Sequence, residues 1–139
     1  MVYILIDIYP IDNSSDWVYT YISEYILEEN MKLLIAGSRS IVDCDLSEYI
    51  PDGVDLIISG GAKGIDSLAE QYADSHGIEK LIIRPQYERF GRAAPIRRDE
   101  EMVCLCDMVL AIWDGESRGT RYTLDYAQKM GKKIIEIII

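Results

Sequence analysis

The chain is 139 residues and 15.9 kDa, long enough to bury roughly two thirds of its unfolded surface in one domain and short for two. With 49% apolar and 27% charged residues it is globular rather than disordered; no run approaches the ~20 apolar residues of a membrane span, and no basic stretch precedes an apolar core as in a signal peptide. A soluble cytoplasmic protein with no membrane partner is expected, and the net charge of −10 excludes the diffuse positive field that drives non-specific duplex binding.

That charge is unevenly placed. Residues 1–30 hold six carboxylates and no Lys or Arg, leaving 18 acidic and 14 basic side chains in residues 31–139. A local basic cleft therefore remains open to the second segment. Three cysteines give no paired spacing, and no His/Cys/carboxylate cluster has metal-ligand spacing. Buried free thiols are expected, with no metal and no cofactor.

In chain order, residues 2–9 (VYILIDIY) read as a strand, and Ser15 can cap a helix whose apolar stripe is Val18, Tyr21, Ile22, Tyr25 and Ile26. This is an added β–α unit, 1–30, set before a self-sufficient domain, 31–139. It either extends a sheet edge or packs on a partner chain. Leu33–Ala36 then ends at Gly37, and Val54–Ile58 ends at Ser59-Gly60-Gly61. Further on, Leu81–Ile83 ends at Arg84-Pro85, Met108–Trp113 ends at Asp114-Gly115, and Lys133–Ile139 closes the chain. These runs are short, rich in Ile, Leu and Val, and lack polar alternation, as in strands covered on both faces of a parallel sheet.

Helical patterns fall between them. Ile65, Leu68, Ala69, Tyr72 and Ala73 recur at threes and fours before a Gly77 stop. Pro95 suits the first turn of a helix running to about Cys106, and Leu124, Ala127 and Met130 mark a helix from Tyr122 to Met130. Residues 41–53 hold one weak turn around Leu46–Ile50. Strand and helix alternation implies right-handed crossovers and a three-layer α/β, Rossmann-like sandwich with a mostly parallel sheet.

Ligands of such sheets bind beyond the carboxyl ends of the strands, and four strand-end loops here are polar and glycine-rich. Gly37-Ser38-Arg39-Ser40 offers close backbone approach, hydroxyls and a guanidinium. The loop Ser59-Gly60-Gly61-Ala62-Lys63-Gly64-Ile65-Asp66 opens a helix and exposes its first N–H groups. It is neither a Walker loop nor a GxGxxG fingerprint. Asp66 either answers the helix dipole or orients an arginine or a ribose hydroxyl.

The third loop carries Arg84, Arg89, Arg92, Arg97 and Arg98 within 15 positions, with Tyr87 and Phe90 as stacking faces. A solvated loop paired with Asp99, Glu100 and Glu101 is the plainer alternative. The fourth, Asp114-Gly115-Glu116-Ser117-Arg118-Gly119-Thr120, offers a second helix start as a phosphate cradle. Together the loops predict an anion-recognising cleft on one sheet edge. By contrast His76, at a helix end before Gly77, reads as a dipole-favoured cap. Trp17 and Tyr19, Tyr21 and Tyr25 read as packing residues, and Trp113 suits either role.

The segments GSRS, SGGAKGID, FGRAAPIRRDEEMV and WDGESRGTRYTLDYA occur in this order over Met31 to Ile139. On these motifs the chain resembles the SLOG superfamily of Rossmann-like domains, which includes the Smf/DprA DNA-processing proteins and the LOG cytokinin-activating enzymes, and within it the YspA-like branch. The resemblance implies a nucleotide-like small molecule as ligand, a homodimer, and a role as ligand sensor or nucleotide-processing protein. It implies that Gly37, Ser38 and Arg39 form one wall, that Gly60, Gly61, Gly64 and Asp66 line the pocket, and that Gly119 and Thr120 hold phosphate. Ser59, Arg92, Asp114 and Ser117 complete the expected ligand-binding set.

LOG enzymes hydrolyse a nucleoside monophosphate with an arginine and a glutamate, the latter in a GTxxE pattern. Here Thr123 stands at that acid position. Arg98 fits the arginine by its spacing to Met102, and Arg97 by alignment on Pro95-Ile96, so these two are the catalytic candidates. LOG-like phosphoribohydrolysis is thus one alternative. DprA-like binding of single-stranded DNA is another, disfavoured by the acidic balance.

Overall fold

The computed structural model describes the backbone of residues 2–4 and the whole of residues 31–139. Its centre is a six-stranded sheet. The strands are β1 (Val2–Ile4), β2 (Lys32–Gly37), β3 (Leu56–Ser59), β4 (Glu79–Ile82), β5 (Met108–Trp113) and β6 (Lys133–Ile138), in the spatial order β1-β4-β3-β2-β5-β6. Every pair is parallel. Among the described residues four helices connect or flank them: α1 (Ile65–His76), α2 (Tyr87–Phe90), α3 (Ala94–Leu105) and α4 (Arg118–Lys129).

Because side chains alternate across a strand, each of β2, β3 and β5 feeds two cores. Leu34, Ile58, Leu81, Val109 and Ala111 pack with Met102, Val103, Leu124 and Ala127 of α3 and α4. On the opposite face Leu33, Ile35, Ile57, Leu110 and Ile112 meet Ile65, Ala69 and Ala73 of α1. All six residues of β5 are buried, whereas β6 alternates towards solvent as an edge strand does. The chain is a three-layer, Rossmann-like α/β sandwich.

The winding order sets where a ligand can sit. From β2 the chain moves outward through β3 to β4, then crosses back to place β5 on the other side of β2. The loops after β2 and β5 therefore diverge, leaving a crevice at the carboxyl ends of the central strands.

Several boundaries differ from the sequence expectation. β3 starts at Leu56 and includes Ser59, whose carbonyl accepts from Ile83 N at 2.9 Å. β4 starts at Glu79 rather than Leu81. The last helix starts at Arg118, a turn before Tyr122, because its opening turn is polar and gives no apolar periodicity. The turn expected near residue 46 is a 3-10 turn, Leu46–Glu48, capped by Asp45.

β1 pairs with β4 in the register Val2 to Lys80, Tyr3 to Leu81 and Ile4 to Ile82, so this segment extends the sheet edge. The helix expected after Ser15 lies outside the described residues. Among the described residues no helix is long and apolar enough to cross a membrane.

Candidate functional site

Ser38 ties three elements together at the end of β2. Its side chain is 1% exposed. Its N–H donates to the Ile112 carbonyl at 3.2 Å and its own carbonyl accepts from Ile65 N at 3.3 Å. Its hydroxyl oxygen accepts from Asp114 N at 3.0 Å. The ends of β2 and β5 and the start of α1 are thereby fixed to one residue. Two glycines make the approach feasible: a Cβ on Gly37 would collide with the Ile112 carbonyl, and one on Gly64, at φ +74°, with the Ser38 carbonyl. Gly64 thus serves loop packing and lines neither cavity described below.

The loop after β5 uses part of its own anion-binding capacity. The Asp114 carboxylate accepts from Glu116 N at 2.9 Å and Ser117 N at 3.0 Å, and these bonds hold it below the usual carboxylate range. What stays open is the first turn of α4, where Ser117 makes no side-chain cap and the opening N–H groups have no intrahelical partner. Gly119 and Thr120 sit there, and Thr123 one turn on donates to the Gly119 carbonyl at 3.1 Å.

The glycine-rich loop after β3 is built around two arginines. Arg98 Nη1 donates to the Gly60 carbonyl at 2.7 Å, and Arg84 Nη1 to the Gly61 carbonyl at 3.2 Å. A Cβ on Gly60 would lie 2.7 Å from Arg98 Nη1 and 2.9 Å from Asp66 Oδ2; one on Gly61 would lie 2.8 Å from Arg84 Nη1. The glycines admit protein guanidinium groups here, a role beyond the ligand approach expected from the sequence. Ser59 is a latch: fully buried, its hydroxyl reaches Glu70 Oε2 at 3.2 Å and accepts from Gly61 N at 3.2 Å.

Arg98 and two acids form the buried electrostatic centre. Arg98 Nε donates to Asp99 Oδ1 at 2.8 Å, while Nη2 has no hydrogen bond among the described residues. Burial raises Asp99 above the usual carboxylate range, with Arg98 pulling the other way. Burial likewise pushes Asp66 up to about 6, against the Ala62 N–H donated to its Oδ2 at 3.1 Å and the charge of Arg98. Asp66 therefore exchanges a proton near neutral pH, which an ordinary aspartate does not.

These residues line a cavity of about 430 Å³. It is lined by Gly37, Ser38 and Arg39 after β2, by Asp66 of α1, by Arg98 and Asp99 of α3, and by Asp114, Ser117, Gly119 and Thr120 around the start of α4. A second cavity of about 570 Å³ adjoins it, sharing Arg39, Ala62 and Arg98, and takes in Gly60, Gly61, Lys63 and Arg84. Ser59, Gly64, Arg92 and Arg97 line neither. Arg92 is exposed on a 3-10 turn, and Arg97 is exposed with its guanidinium 5.8 Å from the Phe90 ring centroid.

Asp99, Met102, Thr123 and Lys63 also line the cavities, although sequence reasoning did not place them among the ligand contacts. Asp99 and Met102 could have been found from Arg98, since helix geometry carries all three around the inward side of α3. Trp113 is fully buried, its indole N–H bonded to Glu136 at 2.9 Å, so it is a packing residue.

Comparison with known proteins agrees with this architecture. No family model matches the chain. The solved structure of DNA processing protein A (DprA) from Streptococcus pneumoniae superimposes with a TM-score of 0.60 at 18% identity, covering 76% of this chain and 50% of that one. The chain thus spans half the length of DprA and shares its Rossmann-like fold. The Gene 61 protein of Mycobacterium phage D29 is 31% identical over 118 residues, covering 75% of this chain and 94% of the phage protein. On that identity and coverage, this chain belongs to the family of the phage Gene 61 protein.

Proposed function

We propose that the chain binds a nucleotide or nucleotide-derived ligand at the C-terminal edge of its sheet, as a sensor or nucleotide-processing protein of the YspA-like branch of the SLOG superfamily. The supporting observation is the 430 Å³ cavity at the crossover point, lined by the open first turn of α4 together with Arg39 and Arg98. A phosphate at Gly119 and Thr120 meets N–H groups and the positive end of a helix dipole. Asp66, near the glycine loop, is then the acceptor or donor for a sugar hydroxyl. Residues 31–139 carry this site, and residues 1–30 are an added unit.

Binding without N-glycosidic cleavage is the form we favour. Thr123 is 2% exposed and engaged with the Gly119 carbonyl, and a threonine hydroxyl cannot supply the acid–base function of a carboxylate near neutral pH. The test is a melting-shift screen against the 5′-monophosphates of adenosine, guanosine, cytidine and uridine, followed by calorimetry. Ligand at 100 times its dissociation constant adds about 2.7 kcal/mol, a shift of several degrees in a domain of this size. Arg39→Ala, altering an exposed residue, should weaken binding about tenfold while preserving the melting temperature of the free protein. No shift with any of the four or with their 3′,5′-bisphosphates would end the proposal.

The shared fold with a DNA-processing protein supports a second reading, single-strand binding along the basic part of this edge. Its mark is steep salt dependence, with log affinity falling by about 0.7 per phosphate contact for each log unit of salt.

A further inference from the structure

The two adjoining cavities differ in charge. The first contains Arg39 and Arg98 together with the carboxylates of Asp66, Asp99 and Asp114. The second contains Arg39, Lys63, Arg84 and Arg98, and no acidic residue lines it. Four cations border one space: Asp99 answers Arg98 and also acts on Arg39, whereas Lys63 and Arg84 have no carboxylate among the lining residues.

The backbone is also shaped to hold this arrangement. Gly61, at φ +72°, has its carbonyl bonded to Arg84 Nη1, and any Cβ there would meet that guanidinium. Arg84 is thereby held beside the loop that carries Lys63. Arg98 stands on the shared wall, 9% exposed, with Nε and Nη1 committed to protein acceptors and Nη2 without one among the described residues. One buried guanidinium therefore borders both spaces.

We propose that the second cavity is a second phosphate subsite of the same binding site, so that the preferred ligand is a small nucleotide with two phosphate groups separated by its sugar. One phosphate lies at the first turn of α4, and the other lies among Arg39, Lys63 and Arg84. This rests on the nucleotide reading above. It adds a class of ligand, since a single phosphate cannot occupy both cavities.

The experiment is calorimetry at near-physiological salt, comparing adenosine and guanosine 5′-monophosphates with the corresponding 3′,5′-bisphosphates. The preferred bisphosphate should bind about tenfold or more tightly than its monophosphate. In the double variant Lys63→Gln/Arg84→Gln that ratio should fall towards one. Both side chains are exposed, and an unchanged melting temperature would show that the variant still folds.

A ratio near one in the unaltered chain, with the monophosphate bound, would overturn the second subsite and leave the first reading standing. A ratio undiminished in the double variant would overturn it too. Failure of both mono- and bisphosphates to bind would instead remove the nucleotide reading itself. A twelve-nucleotide DNA strand bound more tightly than either bisphosphate, and weakened by the same double variant, would assign the basic cavity to a polymer and overturn the small-ligand proposal.

Discussion

Arg98 donates a 2.7 Å hydrogen bond to the carbonyl of Gly60, 38 positions earlier in the chain. With the 2.8 Å bond to Asp99, it ties the end of β3 to α3 from a site 9% exposed. Removing it leaves Asp99 buried without its cation and the Gly60 carbonyl without this donor. Arg98→Ala should therefore destabilise the fold by about 3 kcal/mol, read as a lower urea midpoint. Arg98→Ala/Asp99→Ala should lose less than the sum of the single changes, because the buried charge disappears with its partner. Loss of ligand binding in Arg98→Ala alone cannot separate a ligand contact from a damaged loop, which makes exposed Arg39 the better probe.

The contrast between Arg98 and Arg97 also shows what was legible in the sequence. Five arginines in one stretch signal an anion site, but composition does not say which turns inward. Helix phase does: Ala94, Arg98 and Met102 step by four along α3 and all are buried, while Arg97 is exposed. The sheet was legible because strands such as MVLAIW are covered on both faces and read as unbroken apolar runs. The opening turn of α4 was not, because Arg118, Gly119 and Arg121 show no hydrophobic period. Nor could local sequence reveal that Gly60 and Gly61 receive Arg98 and Arg84, since these partners come from later loops and helices.

Glycine substitutions separate folding from binding. Gly37→Ala and Gly64→Ala place a Cβ against carbonyl groups of Ile112 and Ser38, and the second also forces a positive φ on alanine. Both should lower thermal stability markedly, by about 2 kcal/mol or more. Gly119 is different: nothing lies within 4 Å of an added Cβ, and the residue is helical. Gly119→Ala should leave the free protein as stable or up to about 1 kcal/mol more stable. If phosphate approaches the first turn of α4, the new methyl group should weaken nucleotide binding. Unchanged affinity would place the phosphate elsewhere.

Ser38→Ala removes the acceptor of the Asp114 N–H while preserving the backbone bonds of residue 38. The loss should be about 1–3 kcal/mol, the range for leaving a buried polar partner unsatisfied. Since Asp114 shapes the turn entering α4, ligand affinity should fall alongside stability. Normal affinity in a destabilised Ser38→Ala would show that the turn holds its form without this tie.

Asp66 should make both stability and binding depend on pH. Its carboxyl group titrates at about 6 in the folded chain, raised from 3.8 chiefly by burial. A raised folded value means that its stabilising contribution is complete below about 4 and is lost as pH rises through about 6. Asp66→Asn stays neutral and retains an oxygen for the Ala62 N–H. Relative to the unaltered chain, this variant should gain stability between pH 4 and pH 7, by an amount on the order of 3 kcal/mol. The groups facing Asp66 include Arg98 and Asp99 on α3 and Glu70 on α1; the two acids favour its neutral form and the arginine opposes it. A bound phosphate adds another negative charge, so affinity in the unaltered chain should rise relative to Asp66→Asn as pH falls through 6. The phosphate's own second ionisation near 6 affects both proteins alike, and their ratio isolates Asp66. Parallel affinity profiles would remove Asp66 from the neighbourhood of the bound anion, while the stability comparison would still report its burial.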